Sequence, residues 1–317
     1  MPVRNDAERL RRCLATITAV DYPSALVEVV VADNGSTDDS RAVASQAGAG
    51  VVTFPGVRVS ELRNRAAAIA RGDVIVFIDA DHEVDRQWLR VACEVLNEPG
   101  AAIAGAICIA PAGGSWVQRA YDALRDHTPG RADVEWIGSG TMAIRRRVFE
   151  EIGGFDTALE TCEDVDLCRR ARALGYRVIS DAALATVHWG DPATLRAVFK
   201  GELWRGQNNL RASVRGTPTL RSVPSIAIPI IDLACIATAI AGTITATPRL
   251  AVIAAAIFLA LAALRPARMI VRGGSARAIG PALIISCTYD LARALALVWK
   301  VPHRRASLAA APSTEAA

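Results

Sequence analysis

Apolar residues along this chain follow two patterns, which change over at about residue 222. Up to Arg221, apolar runs of strand length alternate with stretches that keep one apolar face at helical spacing. A run at 28–32 ends in Asp33, another covers 51–54, and the almost wholly apolar run 74–78 ends in Asp79. Asn5 with Glu8 three residues on has the form of a capping box, predicting a helix toward Val20. Ser36 or Thr37 caps a second helix that Gly48 closes, and Ser60 precedes a third with Leu62, Ala66 and Ile69 on one face and Gly72 at its end. The pattern predicts further helices at 88–96 and 163–174, the latter closed by Gly175, and strands at 101–109, 142–144, 176–179 and 184–187. Such alternation predicts an α/β domain around a parallel sheet, with its ligand site beyond the carboxyl ends of the strands. Asp33, Asp79 and Asp81 all fall there.

From Val223 onward the chain is dominated by Ala, Ile, Leu and Val. The stretch 225–247 is long enough to cross ~30 Å of hydrocarbon at ~1.5 Å per residue, and a shorter one covers 250–264. Thr247-Pro248-Arg249 joins them into a hairpin. Arg265, Arg268, Arg272 and Arg277 follow, and the positive-inside rule places that loop in the cytoplasm with the N-terminal domain. No secretory leader precedes that domain, which agrees with a cytoplasmic position. A third apolar segment, 279–301, carries Asp290 and Arg293 and is followed by His303, Arg304 and Arg305. If it crosses, the basic tail lies outside; if it lies in the interface, the tail stays inside. The expected organisation is a catalytic domain at 1–205, an interfacial linker at 206–222, a membrane region of two or three apolar helices at 223–305, and a disordered tail at 306–317. The chain is expected in the cell membrane, as a multi-pass protein.

Composition narrows the classes further. With 52% hydrophobic residues, a disordered chain is excluded. The net charge of +4 comes from arginines scattered among carboxylates, with lysine only at 200 and 300, which speaks against nucleic acid as a partner. The seven cysteines contain no C-x-x-C pair and read as reduced, structural thiols.

The chemistry concentrates in acidic residues. Asp79-Ala-Asp81 closes an apolar strand with two carboxylates two residues apart, hard ligands that suit Mg2+ or Mn2+ bridging a diphosphate. An acidic turn after a strand also occurs without any metal, and the pair alone leaves both readings open. Asp164, in the acidic first turn of a predicted helix, fits either a helix N-cap or a general base.

The ordered set Pro2-Val-Arg-Asn-Asp6, Asp33-Asn-Gly-Ser-Thr-Asp38, Arg63-Asn64, Asp79-Ala-Asp81, Gly153-Gly-Phe-Asp156 and Glu163-Asp-Val-Asp-Leu167 resembles family 2 glycosyltransferases over roughly the first 205 residues. The resemblance implies a GT-A fold (Rossmann-like, nucleotide-diphospho-sugar transferase) and inverting transfer of a sugar from a nucleotide-sugar donor. By matching position, Asp33 would bind the nucleobase, Arg63 would contact the nucleotide, and Pro2 and Arg4 would border its pocket. Asp79 would hold the ribose or organise the turn, Asp81 would ligate the divalent cation, and Asp164 would be the catalytic base. Gly138 to Thr141 resembles the small-residue loop between donor and acceptor pockets, with a plain tight turn as the other reading. His188 resembles the late histidine that completes the metal or diphosphate site in some relatives; a packed or capping histidine is the alternative.

Two departures qualify the resemblance. Family members begin with a hydrophobic strand before the Pro-Val segment, so a central strand is expected to be missing here and the natural start to lie upstream of Met1. Trp204-Arg205 stands without a Gln-x-x-Arg-Trp motif, which disfavours processive polymerisation. Phe199, Leu203 and Trp204 are expected instead to face lipid from an interfacial helix. The leading function is transfer of one sugar to a lipid-linked or cell-envelope glycan acceptor at the cytoplasmic membrane face. The alternatives are a polysaccharide synthase subunit, a noncatalytic membrane scaffold that keeps the fold, and a small transporter prompted by Asp232, Asp290 and Arg293 in apolar segments.

Overall fold

The computed structural model describes residues 1–159, 161–207 and 223–299. Its first elements, β1 (Pro2–Val3), α1 (Ala7–Thr18), β2 (Val30–Asp33), α2 (Ser40–Gln46) and β3 (Gly50–Thr53), build a parallel three-stranded sheet in the order β1-β2-β3. Asn5 does not cap α1 as its spacing to Glu8 predicts. It takes a left-handed conformation at φ 51, and its side-chain oxygen accepts the Thr37 N–H at 2.7 Å. Asn tolerates that region, and the long-range bond ties the start of the chain to the loop after β2.

The second sheet departs from the all-parallel expectation. After α3 (Val59–Ile69) come β4 (Val74–Ile78), β5 (His82–Glu83), α4 (Trp88–Leu96), β6 (Ala101–Gly105), α5 (Trp116–Ala123), β7 (Arg131–Asp133), β8 (Thr141–Arg145), α6 (Arg146–Glu151), α7 (Glu163–Ala173), β9 (Arg177–Asp181), β10 (Val187–His188) and α8 (Leu195–Gly206). Five of these strands form a sheet in the order β4-β8-β6-β9-β7, in which only β6 and β9 run parallel. The sequence could not separate the two cases, because β4 is covered on both faces and loses its alternation. Ile75 and Phe77 pack with Phe149, Phe155 and Leu167, while Ile78 joins Trp88, Ala92 and Leu184 on the other side. Antiparallel pairing of β4 with β8 matters for the site: it sets Ile78 against Thr141 and lets the Asp79 N–H donate to the Gly140 carbonyl at 3.0 Å.

The apolar region forms α9 (Val223–Ile244), α10 (Pro248–Val271) and α11 (Ile279–Leu295), three helices long and apolar enough to cross a membrane. The hairpin of α9 and α10 is as expected, but α10 runs on past residue 264, so Arg265 and Arg268 are helical rather than part of a loop. The apolar face of α8 does not meet lipid as expected. Leu203 and Phe199 pack on Ala292, Leu295 and Ala296, and Ile285 of α11 packs with Val117, Ala120 and Val198. The approach is close at Gly206, where a Cβ would lie 2.6 Å from the Ala296 Cβ. Most of the expected linker at 206–222, the basic group at 300–305 and the tail at 306–317 lie outside the described residues.

Charge reinforces this docking. Glu202 is 1% exposed and accepts from Tyr121 Oη at 2.7 Å, from Arg205 at 2.7 Å and from Arg293 of α11 at 2.8 Å. Arg265 pairs with Asp290 at 2.6 Å, and Arg272, just past the end of α10, pairs with Asp126 at 2.6 Å. Removing one member of a buried pair leaves its partners uncompensated, at a cost of about 3–5 kcal/mol. Glu202→Ala is therefore expected to lower the thermal midpoint of the detergent-solubilised chain by several degrees, whereas Glu8→Ala, in an exposed pair with Arg11 and Arg12, should leave it unchanged.

Candidate active site

The turn after β2 is organised by Asp33. Its fully buried carboxylate accepts the N–H groups of Gly35 and Ser36, each at 3.1 Å, with Gly35 at φ 76. Beyond this turn lies an open cleft of about 300 Å³ lined by residues that include Pro2, Arg4, Asn34, Asp79, Ala80 and Asp81. Pro2, Arg4, Asp79 and Asp81 thus meet as the sequence predicts. Asp33 stands behind the wall, and its neighbour Asn34 faces the cleft.

The next residues are brought together by a short antiparallel pairing of β5 with β10, which sets His188 opposite His82. Their rings stack with centroids 4.4 Å apart. His188 Nε2 lies 3.3 Å from Asp81 Oδ2, and His82 Nε2 lies 3.8 Å from Asp81 Oδ1. On its other side His188 Nδ1 lies 2.7 Å from Asp191 Oδ1, and Asp191 in turn holds the Arg125 guanidinium, with Arg125 Nη1 at 2.8 Å from Oδ2. Burial opposes a charge on His188, but hydrogen bonds to Asp191 and Asp81 outweigh it and push its pKa up to about 11. Asp81 goes the other way: burial disfavours its charge, yet the bond to His188 holds it down at about 2. His82, buried and beside the cationic His188, is pushed down to about 4 and stays neutral, with Nδ1 at 2.8 Å from Thr186 Oγ1.

Two glycines make room for this cluster. A Cβ at Gly190 would lie 2.0 Å from Asp81 Oδ2 and 2.8 Å from His188 Nε2, and one at Gly140 would lie 3.0 Å from His82 Nε2 and 3.2 Å from Asp79 Oδ2.

Arg63 and Asp164 complete the site. Arg63, from α3, is 4% exposed, and its two terminal nitrogens reach Asp79 at 2.7 Å and Glu163 at 2.9 Å. Burial works against its charge, and the carboxylates of Asp79 and Glu163 more than restore it. The nucleotide contact expected of Arg63 meets a guanidinium already committed to protein carboxylates.

Asp164 is the second residue of α7 and half-buried. The N-cap position belongs to Cys162, in a left-handed conformation at φ 64, which sets aside the capping reading of Asp164. The Asp164 carboxylate accepts from Val165 N at 2.8 Å and Ser139 N at 3.3 Å, and burial raises its pKa above the ordinary carboxylate range. The loop 138–140 lies between the two acidic centres, with Gly138 against Asp164 and Gly140 against Asp79. A side chain there would fill the gap.

The donor set fits a divalent cation. Ligand atoms of Asp81, His82 and His188 lie within 4.8 Å of one another. The 3.3 Å between Asp81 Oδ2 and His188 Nε2 is close to the ~3 Å between adjacent ligands that are ~2.1 Å from an octahedral ion. The carboxylate oxygens suit magnesium or manganese, while imidazole is a donor for first-row transition ions and disfavours magnesium. Sequence reasoning had found Asp81 and His188 but missed His82, Gly190, Asp191 and Arg125. His82 directly follows Asp81, and His188-Trp-Gly-Asp191 is a compact signal; Arg125 carried none, because only tertiary structure brings it to Asp191.

The parallel three-stranded sheet beside the mixed five-stranded sheet, with a cleft at the turn that follows β4, forms a GT-A fold. The fold is that of the mannosyltransferase PcManGT of Pyrobaculum calidifontis, whose structure with GDP-Man and Mn2+ superposes with a TM-score of 0.62 at 19% identity, covering 94% of this chain and 85% of that one. Residues 1–153 match Glycosyl transferase family 2. Its relatives include the glycosyltransferase AglE of Haloferax volcanii, 27% identical over 56% of this chain and 61% of that protein. The pre-mycofactocin glycosyltransferase of Mycobacterium tuberculosis is 24% identical over 59% of this chain. The match to this chain spans 61% and 41% of the lengths of those two relatives.

The tight contact at Gly190 gives a test. Gly190→Ala must displace Asp81 or His188 and is expected to abolish saturable Mn2+ binding, read by electron paramagnetic resonance of the free ion, while Gly113→Ala, at a position with open space, leaves it unchanged.

Proposed function

We propose that the protein transfers a sugar, with inversion, from a nucleotide-diphosphate sugar to a lipid-linked or cell-envelope glycan acceptor at the cytoplasmic face of the membrane. The observation that carries this reading is the raised, half-buried carboxylate of Asp164 across the glycine loop from the Asp79–Asp81 turn. One group is then suited to the acceptor and the other to the donor diphosphate.

In this reading the nucleotide occupies the cleft bordered by Pro2, Arg4, Asn34 and Asp79. A nucleobase contact from Asp33 requires the turn to open, because its carboxylate is fully buried. Asp81 and His188 would hold Mg2+ or Mn2+, with His82 beside them; the cation supplies positive charge against the leaving diphosphate. Asp164 removes the proton from the acceptor hydroxyl as that oxygen bonds to the anomeric carbon, and the nucleoside diphosphate departs from the opposite face. A single base on the acceptor side is what inversion needs. The raised pKa makes Asp164 a stronger base than an exposed aspartate, and the Ser139 N–H fixes one of its oxygens.

The membrane helices support delivery of the acceptor from the bilayer. Arg272, just past α10, pairs with Asp126 of the catalytic domain, so that end of the hairpin faces the domain. With α11 docked along α5 and α8, α9 and α10 are the two spans, and α11 lies in the interface on the domain side. A reporter fused after residue 305 is then expected on the same side as the N-terminal domain, and one inserted at 245–247 on the other. A C-terminal reporter on the far side would contradict the interfacial position of α11.

Asp164→Asn is expected to lower kcat by ~10²-fold or more while leaving nucleoside diphosphate and Mn2+ affinity within a factor of about two. In wild type, activity should fall as pH drops, because the base must be ionised, with a midpoint above the ~3.9 of a free aspartate.

A further inference from the structure

Asp191 joins the candidate site to the helix beneath it: its carboxylate bonds to His188 and Arg125, and its carbonyl accepts from Gln118. It is 5% exposed overall, its Oδ1 lies 2.7 Å from His188 Nδ1, and both its oxygens engage Arg125. A guanidinium engaging both oxygens sets its positive charge against a cation at the same carboxylate. The two imidazole nitrogens of His188 therefore face different partners: Nδ1 faces Asp191, and Nε2 faces Asp81 at 3.3 Å. Gly190, between the histidine and the aspartate in sequence, leaves the Asp81–His188 gap clear.

We propose that Asp191, held by Arg125, is a positioning residue that fixes the His188 ring and its tautomer so that Nε2 is the nitrogen presented to a divalent cation beside Asp81. This rests on the metal-assisted reading of the site. With Nδ1–H held by a carboxylate, the proton that a cation displaces is the one on Nε2, whose lone pair then becomes the ligand; loss of such a supporting partner typically costs 10–100-fold in metal affinity. The arrangement also gives Arg125 a role. It neutralises a carboxylate that would otherwise be buried beside a second acidic group, Asp122, 3.2 Å from Arg125 itself.

The neighbouring residue extends the link outward. Asp126 pairs with Arg272 at the end of α10, so the segment that holds Asp191 through Arg125 is also tied to the membrane hairpin.

The test uses the full chain in detergent and Mn2+ alone as probe, comparing wild type with Asp191→Asn, Arg125→Gln, His188→Ala and Asp81→Ala. Two readouts are taken, the Mn2+ affinity and the electron spin-echo modulation from a coordinated imidazole nitrogen. Asp191→Asn is expected to weaken Mn2+ binding ~10–100-fold and to reduce the nitrogen modulation; a lowered thermal midpoint without those two changes would mark a merely structural role and overturn the proposal. Arg125→Gln should shift both in the same direction by less, and it stands in should Asp191→Asn fail to fold. Wild-type affinity and modulation in both variants would overturn the positioning role. If His188→Ala binds Mn2+ as wild type does while Asp81→Ala does not, the fault lies instead in assigning His188 to the metal, and the positioning role falls with it.

Discussion

The buried guanidinium of Arg63 spans the site and fixes its two halves relative to each other. One nitrogen holds Asp79 at the end of β4, and the other holds Glu163 in the first turn of α7. A charge this poor in solvent contact is tolerable only when paired, and losing one partner of such a pair costs several kcal/mol. The pairing therefore holds the strand end that carries the Asp79–Asp81 turn against the helix start that carries Asp164. The antiparallel β4–β8 pairing adds the third side by threading residues 138–140 through the gap, where a Cβ at Gly140 would crowd Asp79 and His82.

Charges around this centre are sorted by what each touches. Asp81 and His188 form an ion pair that favours the carboxylate at about 2 and the imidazolium at about 11, whereas burial of Asp164 outweighs the pull of Arg63 and leaves it the more basic carboxylate. Two acidic groups with opposite tendencies suit two tasks: one holds positive charge and the other accepts a proton. The same economy recurs at the membrane side. Glu202 gathers Arg205 and Arg293, which ties α11 to α8.

Much of this was legible in the residues. Strands ending in Asp33 and Asp79, the helix at 163–173 and the hairpin at 223–271 follow from periodicity, turn residues and length. The motif order named the family. What stayed hidden depended on long-range pairing. The sense of β8 cannot be read where both sheet faces are covered, and His82 gained meaning only when β10 was laid beside β5. The apolar face of α8 read as lipid-facing because its true cover, α11, lies some ninety residues on in the chain, as the Glu202–Arg293 pair records. Asn5 read as a helix cap, and a long-range bond to Thr37 drew it instead into the loop after β2.

The most direct measurement is the anomeric configuration of the first product, determined by NMR after incubating membranes that contain the full chain with a panel of nucleotide sugars and extracted lipids, with and without Mn2+. The account predicts metal-dependent release of a nucleoside diphosphate and a glycolipid whose new linkage is inverted relative to the donor. A product with retained configuration, or no donor consumed at all, would contradict it.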